Sequence, residues 1–246
     1  MSRLHRMLAT GCAVALVTTL AGGCGAQVLH IDRAVEQADS AAAGQGTAGP
    51  GAAGHGTALE ALRALPVKGR APRTGYTRAR FGQAWKDVDH DGCDQRNQVL
   101  ARDLTGERFK PGTHDCVVLS GRLSDPYTGR TIAFSRGART STAVQIDHVV
   151  ALSDAWQTGA QQLPDPRRAE LANDTLELVA VDGPTNESKG DGDAATWLPP
   201  NKAYRCRYVA RQVAVKARYR LWVTPAERDA IARVLGGCPE QPLPTG

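Results

Sequence analysis

Asp147 and His148 stand side by side in "QIDHVVALSDAW" (residues 145–156), among Ile146, Val149, Val150 and Leu152. An unpaired polar group in so apolar a stretch is costly, so the two side chains need partners or a task. Asn186 and Lys189 follow in "DGPTNESKGD", three residues apart and therefore on one face of a helix that starts there. Carboxylate and amide oxygens suit a hard divalent cation, Mg2+ or Mn2+, which keeps room for water and a phosphate. A histidine beside them can take a proton from water near neutral pH. These are the parts of metal-assisted phosphodiester hydrolysis. Singly, each has an ordinary structural reading: a buried Asp-His couple bonded to its neighbours, and an asparagine that caps a helix.

The elements that must position these groups can be read from pattern. "TAVQIDHVVAL" and "TLELVAV" read as strands, and "DPYTGRTIAF" as a turn leading into another. Asp182, Gly183 and Pro184 form a turn that a strand cannot continue through, so a helix carrying Asn186 follows a hairpin. Folding that unit brings Asp147 and His148 towards Asn186. Ser153 is placed to cap "DAWQTGAQQ", and Asp165 with Pro166 to open "PRRAELA". Thr224, Pro225 and Glu227 form a capping box, and Gly236 and Gly237 end that last helix. The class is α+β, with a hairpin-like core and a helical C-terminal half.

"IDHVVALS" followed by "LELVAVDGPTNESKGD" resembles the HNH endonuclease signature, the ββα-metal or His-Me finger. From about Trp85 to Leu235, including "CDQRNQVLARDL" and "DPYTG", the chain is similar to secreted HNH proteins related to the C-terminal nuclease domain of GmrSD-type restriction enzymes. The resemblance implies a ββα-metal core with additional helices. It also implies a metal-dependent endonuclease, with DNA favoured over RNA as substrate. His148 would be the general base, Asp147 and Asn186 the ligands of the Mg2+ or Mn2+ ion, and Lys189 a neighbour of the substrate phosphate. The middle asparagine of the signature, which holds the loop between the strands, falls at Glu177 here. Either Asn173 takes over that role or Glu177 fills it differently.

The rest of the chain sets the context. Residues 1–26 read as a secretory signal: Arg3, His5 and Arg6, then an apolar run shorter than a membrane span needs, then small residues. "LAGGC" resembles a lipobox with Leu20 one place too far from Cys24; lipidation of Cys24, giving attachment to the outer face of the membrane, stands beside ordinary cleavage after Ala26. Residues 27–73, rich in Ala, Gly and Pro, read as a flexible stalk that could include a brief amphipathic helix in "ALEALRALPVKG". Residues 74–246 form the nuclease-like domain. In an exported chain Cys93, Cys116, Cys206 and Cys238 imply disulfides, with chain order favouring Cys93 with Cys116 and Cys206 with Cys238. Zinc is the weaker reading, since no C-x-x-C pair occurs.

A formal charge of +5 is modest support for a polyanionic partner. In "YRCRYVARQVAVKARYRLW", helical periodicity gathers Cys206, Val209, Ala210, Val213, Ala217 and Leu221 on an apolar face. Arg207, Arg211 and Arg218 form a neighbouring stripe that could grip a nucleic-acid backbone or simply face solvent. Tyr204, Tyr208 and Tyr219 read as packing residues, and His114 as a surface one. In "DVDHDGCDQRNQ", Asp87, Asp89, Asp91 and Gly92 follow the opening of a calcium loop, but the twelfth position is Gln98 where the loop needs glutamate. With Glu177, this motivates a rival reading: a noncatalytic, calcium-dependent envelope binding protein on the same fold.

Overall fold

The computed structural model describes residues 56–245. The leader, most of the stalk and Cys24 lie outside them. Thirteen elements carry the account: α1 (Ala58–Ala64), α2 (Gln95–Asp103), β1 (Leu104–Phe109), β2 (Val118–Ser124), β3 (Thr131–Ser135), β4 (Val144–His148), α3 (Leu152–Gln157), α4 (Asp165–Asn173), β5 (Leu178–Asp182), α5 (Gly183–Lys189), α6 (Arg205–Arg218) and α7 (Pro225–Gly236), with a 3-10 turn at Arg78–Phe81. This is an α+β fold with two small antiparallel sheets, β1-β2-β3 and β4-β5. Among the described residues no helix is long and apolar enough to cross a membrane.

The β4–β5 hairpin is sandwiched between two apolar clusters, and strand alternation assigns its residues to them. Val144, Ile146, Leu178 and Ala180 join Val99, Leu100, Leu123 and Phe134 from α2 and the three-stranded sheet. Val179 and Val181 join the larger cluster built on Val209, Val213, Leu221 and Ile231 of the helical half. With both faces covered, β5 is buried along its whole length, which is why it reads as an unbroken apolar run. The chain then turns directly into α5. At Gly183 a Cβ would lie 2.0 Å from the Thr142 carbonyl oxygen, so only glycine lets α5 start this close to β4.

The two disulfides pair Cys93 with Cys116 and Cys206 with Cys238, closing loops of 23 and 32 residues. Loops of that length correspond to about 3.5 kcal/mol each in the chain-entropy description. The capping box at Thr224 and Glu227 is present, and Gly237 follows the last residue of α7. Tyr204, Tyr208 and Tyr219 are buried, and His114 is exposed.

Several expectations are corrected. The segment 56–73 is built into the folded unit. Ala58, Leu62 and Leu65 are in the core, Ala58 N–H donates to the Gln241 carbonyl, and Trp222 Nε1–H donates to the Gly69 carbonyl. Arg70 closes a buried ion network with Asp154 and Asp193, in which Lys216 pairs with Asp154 and Glu227. The helix after β4 starts at Leu152 behind Ala151, and Ser153 lies inside it without capping it. Pro164 precedes α4, which includes Asp165. Strands β1 and β2 were not anticipated: their Gly and Ser content hides the alternation. On α6, Ala217 is exposed, while Gln212 and Lys216 are buried because each finds polar partners inside.

Candidate active site

One cavity of about 210 Å3 runs along the end of β4 and is lined by Arg78, Gln145, Asp147, His148, Asn186 and Asp191. Three of the five predicted site residues thus share it. Asp147 and His148 come from successive positions of β4, so their side chains leave opposite faces of the hairpin, and each is anchored differently.

His148 is fixed from behind. Its Nε2 lies 2.9 Å from the Ala172 carbonyl oxygen at the end of α4. A carbonyl only accepts, so Nε2 carries the proton and Nδ1 keeps its lone pair. No described residue engages Nδ1. Trp85 stacks on the ring, with centroids 6.1 Å apart and planes 19° apart. Burial pushes the imidazole down to about 3; the Ala172 carbonyl opposes this weakly, and Arg78 and Lys189 add to it. At neutral pH the ring is therefore uncharged and able to accept a proton.

Asp147 belongs to the other face. Its Oδ2 accepts hydrogen bonds from Lys189 Nζ, at 2.6 Å, and from the Tyr127 hydroxyl. Lys189 also donates to the His148 carbonyl oxygen. The resemblance implied Lys189 as a neighbour of the substrate phosphate; here its side chain has no solvent exposure, and α5 packs it inward, under β4, against Asp147. Tyr127 is fully buried, and burial with the adjacent Asp147 carboxylate pushes its hydroxyl well above the ordinary range, keeping it a donor. Lys189 and Tyr127 orient Asp147 while its Oδ1 stays free of donors among the described residues.

Asn186 is oriented in the same way. Its Nδ2 donates to Gln145 Oε1 at 2.8 Å, and the Gln145 Nε2 donates to Glu187. The amide oxygen of Asn186 is left over. Two hard oxygens without donors among the described residues, Asp147 Oδ1 and Asn186 Oδ1, belong to residues that line one cavity with room for water, a donor set that fits Mg2+ or Mn2+. Lys189 offsets the charge of Asp147, so the pair alone would hold a cation weakly and a phosphate would strengthen the site.

Glu177 settles which residue holds the loop after β4. It is fully buried, its carboxyl oxygens lie 3.2 and 3.3 Å from Val150 N, and its carbonyl accepts from Val149 N–H. Burial pushes this carboxyl well above the usual range, against the pull of the Val150 N–H and Lys189. A neutral carboxyl has the planar shape of the asparagine amide, on a side chain one methylene longer, and keeps the acceptor that the loop needs. Asn173 does not take over that role. Its Nδ2 donates to the Ala169 and Gln83 carbonyls, which fastens the end of α4, the same end that offers Ala172 to His148.

The arginine stripe of α6 is also corrected. Arg211 donates to the carbonyls of Thr175, Leu176 and Leu178, and Arg218 pairs with Asp174. Of the three, Arg207 alone has neither an ion pair nor a hydrogen bond from its guanidinium to a described residue, and it lies over the Tyr204 ring. None of the three lines the cavity. The cation that does is Arg78, exposed, on the 3-10 turn, and also part of a second, more apolar cavity behind His148 with Trp85 and Phe81. Arg78, Trp85, Tyr127 and Gln145 carried no sequence signal of a site beyond the "DPYTG" that contains Tyr127.

A hairpin and a helix thus bring a neutral histidine, a carboxylate and an amide to one cavity of an α+β domain. The chain belongs to the family of GmrSD restriction endonucleases, C-terminal domain, whose family model matches residues 94–234. A relative from Arthroderma benhamiae, described as an uncharacterized secreted protein, is 35% identical over 184 residues, covering 74% of this chain and 85% of its own length. No solved structure matches.

Proposed function

We propose that the protein is an exported endonuclease that hydrolyses phosphodiester bonds, in DNA by preference, with a divalent cation held by Asp147 and Asn186. The observation that carries this is His148: a neutral imidazole, pinned through Nε2, with Nδ1 free of partners among the described residues, lining the cavity that Asp147 and Asn186 share. His148 takes a proton from the attacking water at Nδ1. Asp147, steadied by Lys189 and Tyr127, and Asn186, steadied by Gln145, keep their oxygens on the cavity. Arg78 at the rim draws in the nucleic-acid backbone. A cation bound there supplies charge stabilisation at the phosphoryl and leaving oxygens. The secreted relative, the two disulfides and the leader read at residues 1–26 support export. Under this reading a lipid at Cys24 would keep the enzyme at the outer membrane face.

The test is to incubate the exported chain with supercoiled plasmid and with RNA, in Mg2+, Mn2+ or EDTA. Cleavage in metal that EDTA stops is expected; no cleavage in either metal would refute the reading. The pH profile adds a sharper expectation. Because the His148 pKa is lowered to about 3, its basic form persists as pH falls. Between pH 7.5 and 5.5 His148 should cost the rate less than twofold, whereas a histidine at the ordinary value would cost about tenfold.

A further inference from the structure

We propose that the Asp87–Gln98 loop is a calcium site separate from the cavity at His148. Counted from Asp87, the loop places carboxylates at positions one, three and five, glycine at six and glutamines at nine and twelve. Those are the ligand positions of a twelve-residue calcium loop, which runs into a helix as this one runs into α2. One oxygen from each of Asp87, Asp89 and Asp91 lies within 4.8 Å of the others. Two ligands about 2.4 Å from a common calcium ion stand at most about 4.8 Å apart. The sixth residue, Gly92, has φ 90°, where a side chain would be strained. Among the described residues no lysine or arginine forms an ion pair with any of the three carboxylates.

The independent observation lies in the two glutamines. Gln95, at position nine, is 1% exposed, and its amide head abuts the cluster: Nε2 is 3.4 Å from Asp89 Oδ1, while Oε1 is enclosed and has no donor. Gln98, at position twelve, donates Nε2 to Asp89 at 2.9 Å and to Asp91 at 2.6 Å, and its Oε1 is likewise enclosed without a donor. Two amides thus turn their NH2 groups to the carboxylates, and both carbonyl oxygens are orphaned. Enclosed acceptors without donors are rare and costly. Rotating each amide by half a turn exchanges its oxygen and nitrogen. With a cation among the carboxylates, the rotated Oε1 atoms become its ligands, and the carboxylates no longer need the two NH2 groups as donors.

A neutral amide at position twelve, in place of bidentate glutamate, sets the affinity in the range of extracellular modules, a Kd of about 0.1–1 mM. Trp85, two residues before the loop, is the ring stacked on His148. Calcium would therefore rigidify the segment that holds Trp85 in place. The site stands whether or not the cavity cleaves nucleic acid.

The test is isothermal titration calorimetry of the exported chain with calcium chloride, in a buffer containing magnesium to occupy the other cavity. Uptake of one calcium per chain in the stated range is expected. Asp89→Asn, with an unchanged circular dichroism spectrum, should weaken it at least tenfold, and Gln98→Glu should tighten it at least tenfold. Asp147→Asn should leave it unaltered. No saturable heat up to about 10 mM calcium, well above the range of such modules, would overturn the proposal. So would a Kd indifferent to both loop substitutions, or one lost in Asp147→Asn.

Discussion

Replacing His148 by alanine is expected to lower the cleavage rate by about 10²–10⁴-fold, the usual contribution of a positioned general base. The cause lies in the hydrogen bond to Ala172, which fixes the proton on Nε2 and leaves Nδ1 as the only nitrogen able to accept one from water. The substitution also removes the stack on Trp85, so thermal unfolding must be followed beside activity. A folded His148→Ala protein with no measurable loss of rate would remove His148 from the chemistry. A loss that merely tracked a lower melting temperature would assign it a structural role.

The second large effect is on stability. Lys189→Met leaves Asp147 buried with Tyr127 as its one donor, and removing a partner from a buried ion pair costs about 3–5 kcal/mol. For a domain of this size that is a fall in melting temperature of roughly 10 °C. Adding Asp147→Asn to Lys189→Met removes the stranded charge and should recover most of the loss. If Lys189 gripped phosphate instead, Lys189→Met would raise KM and leave the melting temperature where it was. A differential scanning fluorimetry series over the two single variants and the double variant distinguishes these results.

The sequence shows local rules well. "IDHVV", the Asp182-Gly183-Pro184 turn and the box at Thr224 and Glu227 involve residues close in the chain, where period, turn chemistry and capping act directly. The disulfides followed chain order for the same reason: each closes a short loop. What pattern could not show is which partner a charged side chain finds. Lys189 meets Asp147 across 42 residues, and Arg211 spends its donors on carbonyls of the segment before β5. Helical periodicity placed Arg211 correctly beside the apolar face, but a half-buried guanidinium is captured by the nearest unpaired carbonyls. Segment 56–73 has the composition of a linker, yet the brief helix expected in "ALEALRALPVKG" is present as α1, and Leu62 and Leu65 reach the core. Glu177 looked like a departure from the signature, and in the fold it holds the Val150 N–H. That removes the main reason for reading the protein as a noncatalytic relic.

Under the proposed function, Asp147 and Asn186 hold the cation that His148 works beside. The most direct test of this is plasmid nicking by wild-type protein and Asn186→Ala across a Mn2+ series. Asn186→Ala keeps Asp147, Lys189 and His148 in place, so the account predicts an unchanged fold, with half-maximal rate reached only at a Mn2+ concentration at least tenfold higher. Equal Mn2+ midpoints for the two proteins would contradict it.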